Sequence, residues 1–168
     1  MLVARVDRAS MRQETGTVIV NDGDTITLNG QRIRLIGMDA PEYHQTCIRD
    51  SRSYPCGRQA REMLVKLIAG QPVTCEGGKW DRYHRLLAVC TAGGLDLNRA
   101  MVEQGWAVAY GGYEDAERLA AQRSAGIWAG TFERPRDWRA RQNAREDEPG
   151  GDIWRGIVDW LREILRFS

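Results

Sequence analysis

No stretch of the sequence carries the roughly 18 consecutive apolar residues that a membrane-crossing helix requires, so no spanning helix is encoded. The N-terminal stretch from Met1 to Thr15 also lacks the apolar core of a secretory leader, being polar and arginine-bearing. That favours a cytoplasmic protein, although Met11 is a second candidate start. Charge of one sign is missing too: 24 Lys and Arg against 23 Asp and Glu leave a net +1. Domains that hold nucleic acid by bulk charge are strongly basic, so any such contact here must rest on a local positive site. None of Cys47, Cys56, Cys75 and Cys90 forms a C-x-x-C pair, which argues against structural zinc. They read as independent thiols or as two disulfides, Cys47–Cys56 and Cys75–Cys90. The second pair falls in two segments that read as strands, where a cross-bridge is geometrically feasible. Disulfides would favour a periplasmic or secreted location. No internal repeat is present.

What is there is a chain of 168 residues, 42% hydrophobic and 28% charged, enough for one folded domain and an appendage. Three short strands read from residues 16 to 37: Thr17–Val20, Thr25–Leu28 and Arg32–Ile36, the last two joined by Asn29-Gly30, a strong hairpin signal. A polar loop from Tyr43 to Pro55 follows. Ala60, Met63, Leu64, Leu67 and Ile68 then recur at helical spacing until Gly70. Pro72–Cys75 and Arg85–Thr91 read as strands, and Leu97–Gln104 and Glu114–Ala125 as helices. That order suggests a mainly β, α+β domain: a five-stranded OB-fold barrel with about three packed helices. Residues 1–14 read as an N-terminal extension, 15–130 as the barrel domain, 131–151 as a linker or strap marked by Pro135 and Pro149, and 152–168 as an amphipathic helix. The polar face of that helix balances Arg155, Arg162 and Arg166 against Asp152, Asp159 and Glu163. Docking on its own domain or on a second copy through Asp152–Phe167 is therefore preferred to membrane-surface contact, which favours a basic face.

The chemistry-bearing stretch is Asp22-Gly23-Asp24-Thr25 followed by Arg34 to Glu42. A hairpin turning at Asn29-Gly30 sets Leu35 opposite Asp24 and Gly37 opposite Asp22, with Asp39 and Glu42 just beyond. Four carboxylates are thereby expected at one end of the hairpin. Clustered acids repel unless a cation sits among them, and oxygen-only ligands suit Ca²⁺ or Mg²⁺. An EF-hand is excluded, because its twelfth position would be Ile33 rather than glutamate. Arg34 and Arg85 add guanidiniums that match a phosphate with paired hydrogen bonds. Strand parity puts Arg34 level with Thr25, so a bulge or strong twist is expected if it is to aim at the acids.

Asp22-Gly23-Asp24-Thr25, Arg34-Leu35-Ile36-Gly37-Met38-Asp39-Ala40-Pro41-Glu42 and Asp81-Arg82-Tyr83-His84-Arg85 resemble, in order and spacing, the signature blocks of the staphylococcal nuclease (thermonuclease) family. The resemblance continues through Leu97-Asn98, Gln104-Gly105-Trp106-Ala107 and Gly126-Ile127-Trp128. It implies a Ca²⁺-dependent endonuclease hydrolysing DNA, and RNA, to 3′-phosphorylated products. One Ca²⁺ would be bound by Asp24, Asp39 and the Ala40 carbonyl, with Asp22 in its outer shell. Glu42 would orient or deprotonate the attacking water, Arg34 and Arg85 would grip the phosphate, and Tyr83, Tyr110 and Tyr113 would flank the nucleotide. The family usually carries glycine where His84 stands; the imidazole either narrows the phosphate pocket or points to solvent. The alternative is a non-catalytic OB-fold module that holds single-stranded nucleic acid, but such modules need aromatic platforms and a basic groove rather than clustered acids.

Overall fold

A computed structural model describes residues 11–146; the helix expected over 152–168 lies outside them. The chain opens with β1 (Arg12–Gly16) and β2 (Val18–Val20), one extended segment broken at Thr17. β3 (Thr25–Leu28) and β4 (Gln31–Leu35) form the expected hairpin. Asn29 and Gly30 turn it with φ of 50° and 80°, the left-handed pair that a two-residue hairpin turn requires. Next come β5 (Met38–Asp39), β6 (Cys47–Arg49), β7 (Arg52–Tyr54) and α1 (Cys56–Ile68). The second half holds β8 (Val73–Trp80), β9 (Leu86–Ala92), β10 (Leu95–Asp96), α2 (Leu97–Glu103), β11 (Val108–Ala109), α3 (Glu114–Gln122) and a 3-10 turn at Gly126–Ala129.

The sheet order is β1-β8-β9-β4-β3-β2. Because β1 and β2 are consecutive pieces of one segment, pairing at opposite ends of that order, the sheet closes on itself. The result is a five-stranded barrel in which β4 and β9 run parallel and the other neighbours antiparallel. Alternate residues of each strand fill it: Ile26 and Leu28, Ile33 and Leu35, then Leu86, Ala88 and Cys90, all fully buried. Leu64 and Ile68 of α1 and Leu97 and Met101 of α2 belong to the same core. β8 runs five residues beyond the expected Cys75, bending at a bulge between Gly77 and Lys79. A side chain at Gly77 would meet the Leu87 carbonyl at 2.2 Å, so glycine is the residue that lets β8 press this close to β9.

Both disulfides are formed. Cys75 and Cys90 face each other in the β8–β9 ladder with Cα atoms 4.1 Å apart, and Cys47 is joined to Cys56, 5.6 Å away, where α1 begins.

Two segments differ from the sequence reading. β1 extends the barrel into residues expected to form an N-terminal extension, because Arg12–Gly16 pairs with Val73–Gly77. Within the expected linker, Pro135–Glu146 is a helix, α4. Proline breaks helix interiors but suits the first helical position, where its missing N–H has no partner to lose; Asp137 in the first turn and Arg145 in the last match the helix dipole. Pro135 closes the first compact unit of the chain, and the rest of α4 belongs to a second. Among the described residues no helix is long and apolar enough to cross a membrane.

Candidate active site

The turn between β2 and β3 is built by Asp22-Gly23-Asp24. The N–H groups of Asn21 and Asp22 donate to the Thr25 carbonyl at 3.0 and 3.3 Å, and the Asp24 N–H donates to Asp22 Oδ1 at 3.0 Å. Gly23 is required by packing: a Cβ there would lie 2.7 Å from the Ala40 methyl and 2.9 Å from that of Ala60. The Leu35 N–H donates to the Asp24 carbonyl at 2.9 Å, so Leu35 stands opposite Asp24 as the hairpin register predicts. Asp39 arrives from β5, which pairs with β11 through Val108, while the Gly37 carbonyl accepts from the Tyr110 N–H at 2.9 Å.

Asp24 and Asp39 are both buried, at 4% and 2% exposure, and the Arg34 guanidinium joins them. Nη1 donates to Asp24 Oδ1 at 3.1 Å and Nη2 to Asp39 Oδ1 at 2.6 Å. Of the bulge or strong twist expected, no bulge is present: the β3–β4 ladder runs without a register shift from Leu28–Gln31 to Thr25–Arg34. The arginine side chain spans the one-residue offset. Thr25 donates to Asp24 Oδ1 at 2.9 Å and the Ala40 N–H to Oδ2 at 3.3 Å. Burial nevertheless pushes Asp24 up to about 7; Arg34 opposes the rise, the charges of Asp22 and Asp39 add to it, and the Thr25 bond offsets part.

Arg85 joins this network from the turn between β8 and β9, its Nη1 donating to Thr25 Oγ1 at 3.3 Å. Asp81 holds it there. One carboxylate oxygen accepts Nε at 2.8 Å, and the other accepts the N–H groups of Tyr83 and Arg85 at 2.8 and 3.0 Å. Burial works against ionisation of Asp81, but those bonds outweigh it and hold the carboxyl below its usual range. His84 takes a left-handed φ of 57° with its side chain exposed, which accounts physically for a glycine at such a position and sends the imidazole to solvent.

The four expected carboxylates are therefore not a preformed cage. Asp24 and Asp39 share a guanidinium and Asp22 is tied to the same turn, but among the described residues no three acidic, His or Cys side chains are gathered as a metal site. The shared Arg34 guanidinium offsets the repulsion between the two buried aspartates.

Glu42 sits on the loop after β5, held by Gln45, a residue with no motif to mark it in the sequence. Gln45 is fully buried. Its Oε1 accepts the Glu42 N–H at 3.2 Å, its Nε2 donates to the Glu133 carbonyl at 2.7 Å, and its own N–H donates to the Glu42 carbonyl at 2.7 Å. The Gln45 carbonyl accepts the Gly57 N–H at 3.2 Å, and a Cβ on Gly57 would stand 1.8 Å from the Glu42 carbonyl oxygen. The first turn of α1 is thus pressed against the Glu42 loop. A glutamine three residues after Glu42 is the one local signal of this clamp; its partner at Glu133 leaves none. Buried Asn98 is a second such clamp, donating to the Ile36 and Ala88 carbonyls at 2.9 and 3.1 Å.

The tyrosines divide. Tyr83 and Tyr110 are exposed, at 58% and 60%. Arg82 and Arg85 lie 4.7 and 5.5 Å from the Tyr83 ring centre. Tyr113 is half-buried with its ring against Gly37 and its hydroxyl 3.4 Å from Asp96; burial, then the Asp96 charge, raises it to about 12.

A closed five-stranded barrel with buried aspartates and two arginines at the end of its central hairpin defines an OB-fold domain of the nuclease-like type. The family described as staphylococcal nuclease homologue matches residues 32–130, and the chain belongs to that family. It is 39% identical over 121 residues to the succinoglycan biosynthesis protein ExoI of Rhizobium meliloti, covering 67% of this chain and 63% of that protein. It is 33% identical over 147 residues to the probable staphylococcal-like nuclease CAN3 of Oryza sativa subsp. japonica, covering 82% of this chain and 37% of that one. An uncharacterized endonuclease of Escherichia coli O157:H7 is 35% identical over 123 residues, 67% of this chain and 74% of its own. The match thus spans less than two thirds of the first two relatives.

Proposed function

We propose that the chain is a Ca²⁺-dependent phosphodiesterase that hydrolyses DNA and RNA internally to 3′-phosphorylated products. The observation that carries the reading is the hydrogen-bonded chain Arg85–Thr25–Asp24–Arg34–Asp39, in which one guanidinium bridges two buried carboxylates and a second joins through Thr25. The donor set fits a hard cation: the groups are all oxygens, and Asp24 is a buried carboxyl whose ionisation the protein alone supports poorly. Asp24, Asp39 and the Ala40 carbonyl would hold one ion, with Asp22 beyond them. Bound there, the ion supplies Lewis-acid stabilisation of charge on the phosphate.

The chain's own residues do the rest. Glu42 orients a water and takes its proton as the water attacks phosphorus in line with the P–O5′ bond; the departing 5′ oxygen takes a proton from solvent, and the phosphate stays on the 3′ oxygen. Arg34 and Arg85 meet the additional charge of the pentacovalent transition state. Tyr83 and Tyr110 would flank the nucleotide, with Tyr113 packed against Gly37. A non-catalytic binding module is the weaker reading, since two acids buried beside a phosphate site oppose binding without contributing to it.

The test is hydrolysis of denatured DNA in Ca²⁺ by the full chain and by Glu42→Gln and Arg85→Ala. Each substitution should lower turnover on the order of 10² or more while the protein stays folded. Wild-type rates in both would reassign the site.

A further inference from the structure

One positively charged face takes no part in the site described. Arg52 and Arg58 are exposed and carry no acidic partner among the described residues, whereas Arg34, Arg85, Arg99 and Arg134 are all in ion pairs. Arg58 stands on the first turn of α1, beside the Gly57 that abuts Glu42, and that turn contains no acidic residue. Its guanidinium lies 5.7 Å from the ring centre of Tyr43, the residue after Glu42, which is 39% exposed. His44 meets the same ring edge-on at 5.0 Å. Next along α1, Gln59 borders a cavity of about 370 Å³ lined otherwise by Arg49, Asp50, Arg52 and Tyr54 of the β6–β7 hairpin. Cys47–Cys56 fixes that hairpin to the start of α1.

We infer that this face, from Tyr43 and Arg58 to Arg52, is an accessory subsite for single-stranded nucleic acid, extending the substrate path beyond the scissile phosphate on the Glu42 side. The inference rests on the nuclease reading and adds a substrate-length preference to it. Tyr43 with Arg58 over its ring offers a stacking platform open to an unpaired base, and stacking tolerates any base. Arg52 suits a backbone phosphate, and Arg49 on the same cavity offsets the Asp50 carboxylate there. In a chain of net charge +1, such a face is the local attraction that bulk charge does not provide. The pairing of aromatic with arginine repeats that of Tyr83 with Arg82 and Arg85, on a different element.

The experiment is fluorescence anisotropy of a labelled oligothymidylate with the full chain in chelator, so that no Ca²⁺-supported cleavage occurs, titrated across salt. Tyr43→Ala and the double variant Arg52→Ala/Arg58→Ala should each weaken binding roughly tenfold. The double variant should also reduce the slope of log affinity against log salt by about 0.7 for each phosphate it no longer neutralises. Unchanged affinity and slope in both overturn the subsite. Failure of the nuclease reading looks different: the wild-type chain would not cut the oligonucleotide in Ca²⁺, whatever the anisotropy shows.

Discussion

Arg34 reaches Asp39 at 2.6 Å although its place in the ladder is opposite Thr25, and the same guanidinium holds Asp24 at 3.1 Å. It thereby acts as an internal counter-ion to both buried carboxylates. Arg34→Ala should therefore have two opposite effects: turnover falls on the order of 10², while Ca²⁺ binding measured by calorimetry tightens because a competing cation is gone. Weaker Ca²⁺ binding in Arg34→Ala would show that the guanidinium organises the acids and does not compete for them.

Asp24 makes metal-free stability depend on pH. Its carboxyl lies at about 7 in the folded chain against an ordinary 3.8. The folded state thus binds more protons than the unfolded state between those values, and stability falls as pH rises through that window. Urea unfolding in chelator should show the decline, and Asp24→Asn, which cannot ionise, should flatten it. Asp81 acts with the opposite sign at the acid end: its carboxyl is held below 3.8, so its contribution is present at higher pH and is lost as pH falls through the folded value. A wild-type chain whose stability rises from pH ~5 to ~8 in chelator would contradict the Asp24 assignment.

Gln45 is expected to position Glu42 through the main chain. Gln45→Leu leaves the Glu42 N–H and Glu133 carbonyl without that partner, at a stability cost of roughly 1–3 kcal/mol. Beyond that, kcat should fall about tenfold with KM and Ca²⁺ affinity little changed, and Gln45→Glu, which keeps the acceptor for the Glu42 N–H, should recover part of kcat. A loss of stability with kcat intact would confine Gln45 to a structural role.

The two disulfides should separate by readout. Cys75–Cys90 closes a 15-residue separation inside the barrel core, so Cys75→Ala/Cys90→Ala should cost about 3 kcal/mol of stability and leave kcat near wild type once folded. Cys47–Cys56 flanks the Glu42 loop, so Cys47→Ser/Cys56→Ser should lower kcat as well. Denaturant midpoints and initial rates on the same preparations check both.

The barrel is legible in the sequence because its signals are local. Asn29-Gly30 sets the β3–β4 register, and that register places Leu35 against Asp24 as found. The two strands that carry Cys75 and Cys90 each read independently, which makes their cross-bridge feasible, and the ladder that sets the two cysteines opposite each other decides for it over free thiols. What escapes is set by tertiary packing. The burial of Gln45 and its reach to Glu133, 88 positions away, leave no periodic trace. The hold of Asp81 on Arg85 is hidden inside a motif whose other residues attract the chemistry. Pro135 reads as a breaker yet starts a helix, since the same ring chemistry serves both roles. Backbone parity places Arg34 opposite Thr25, as found, but does not tell where its guanidinium lands, because a long flexible side chain carries that group to Asp24 and Asp39.

The most direct test of the central claim is the rate at which the full chain cuts denatured DNA in Ca²⁺ and in excess chelator, with the ends of the fragments identified. Cleavage that depends on Ca²⁺, stops on chelation and leaves 3′-phosphates is the expected result. Undiminished cleavage in chelator would contradict the assignment of Asp24 and Asp39.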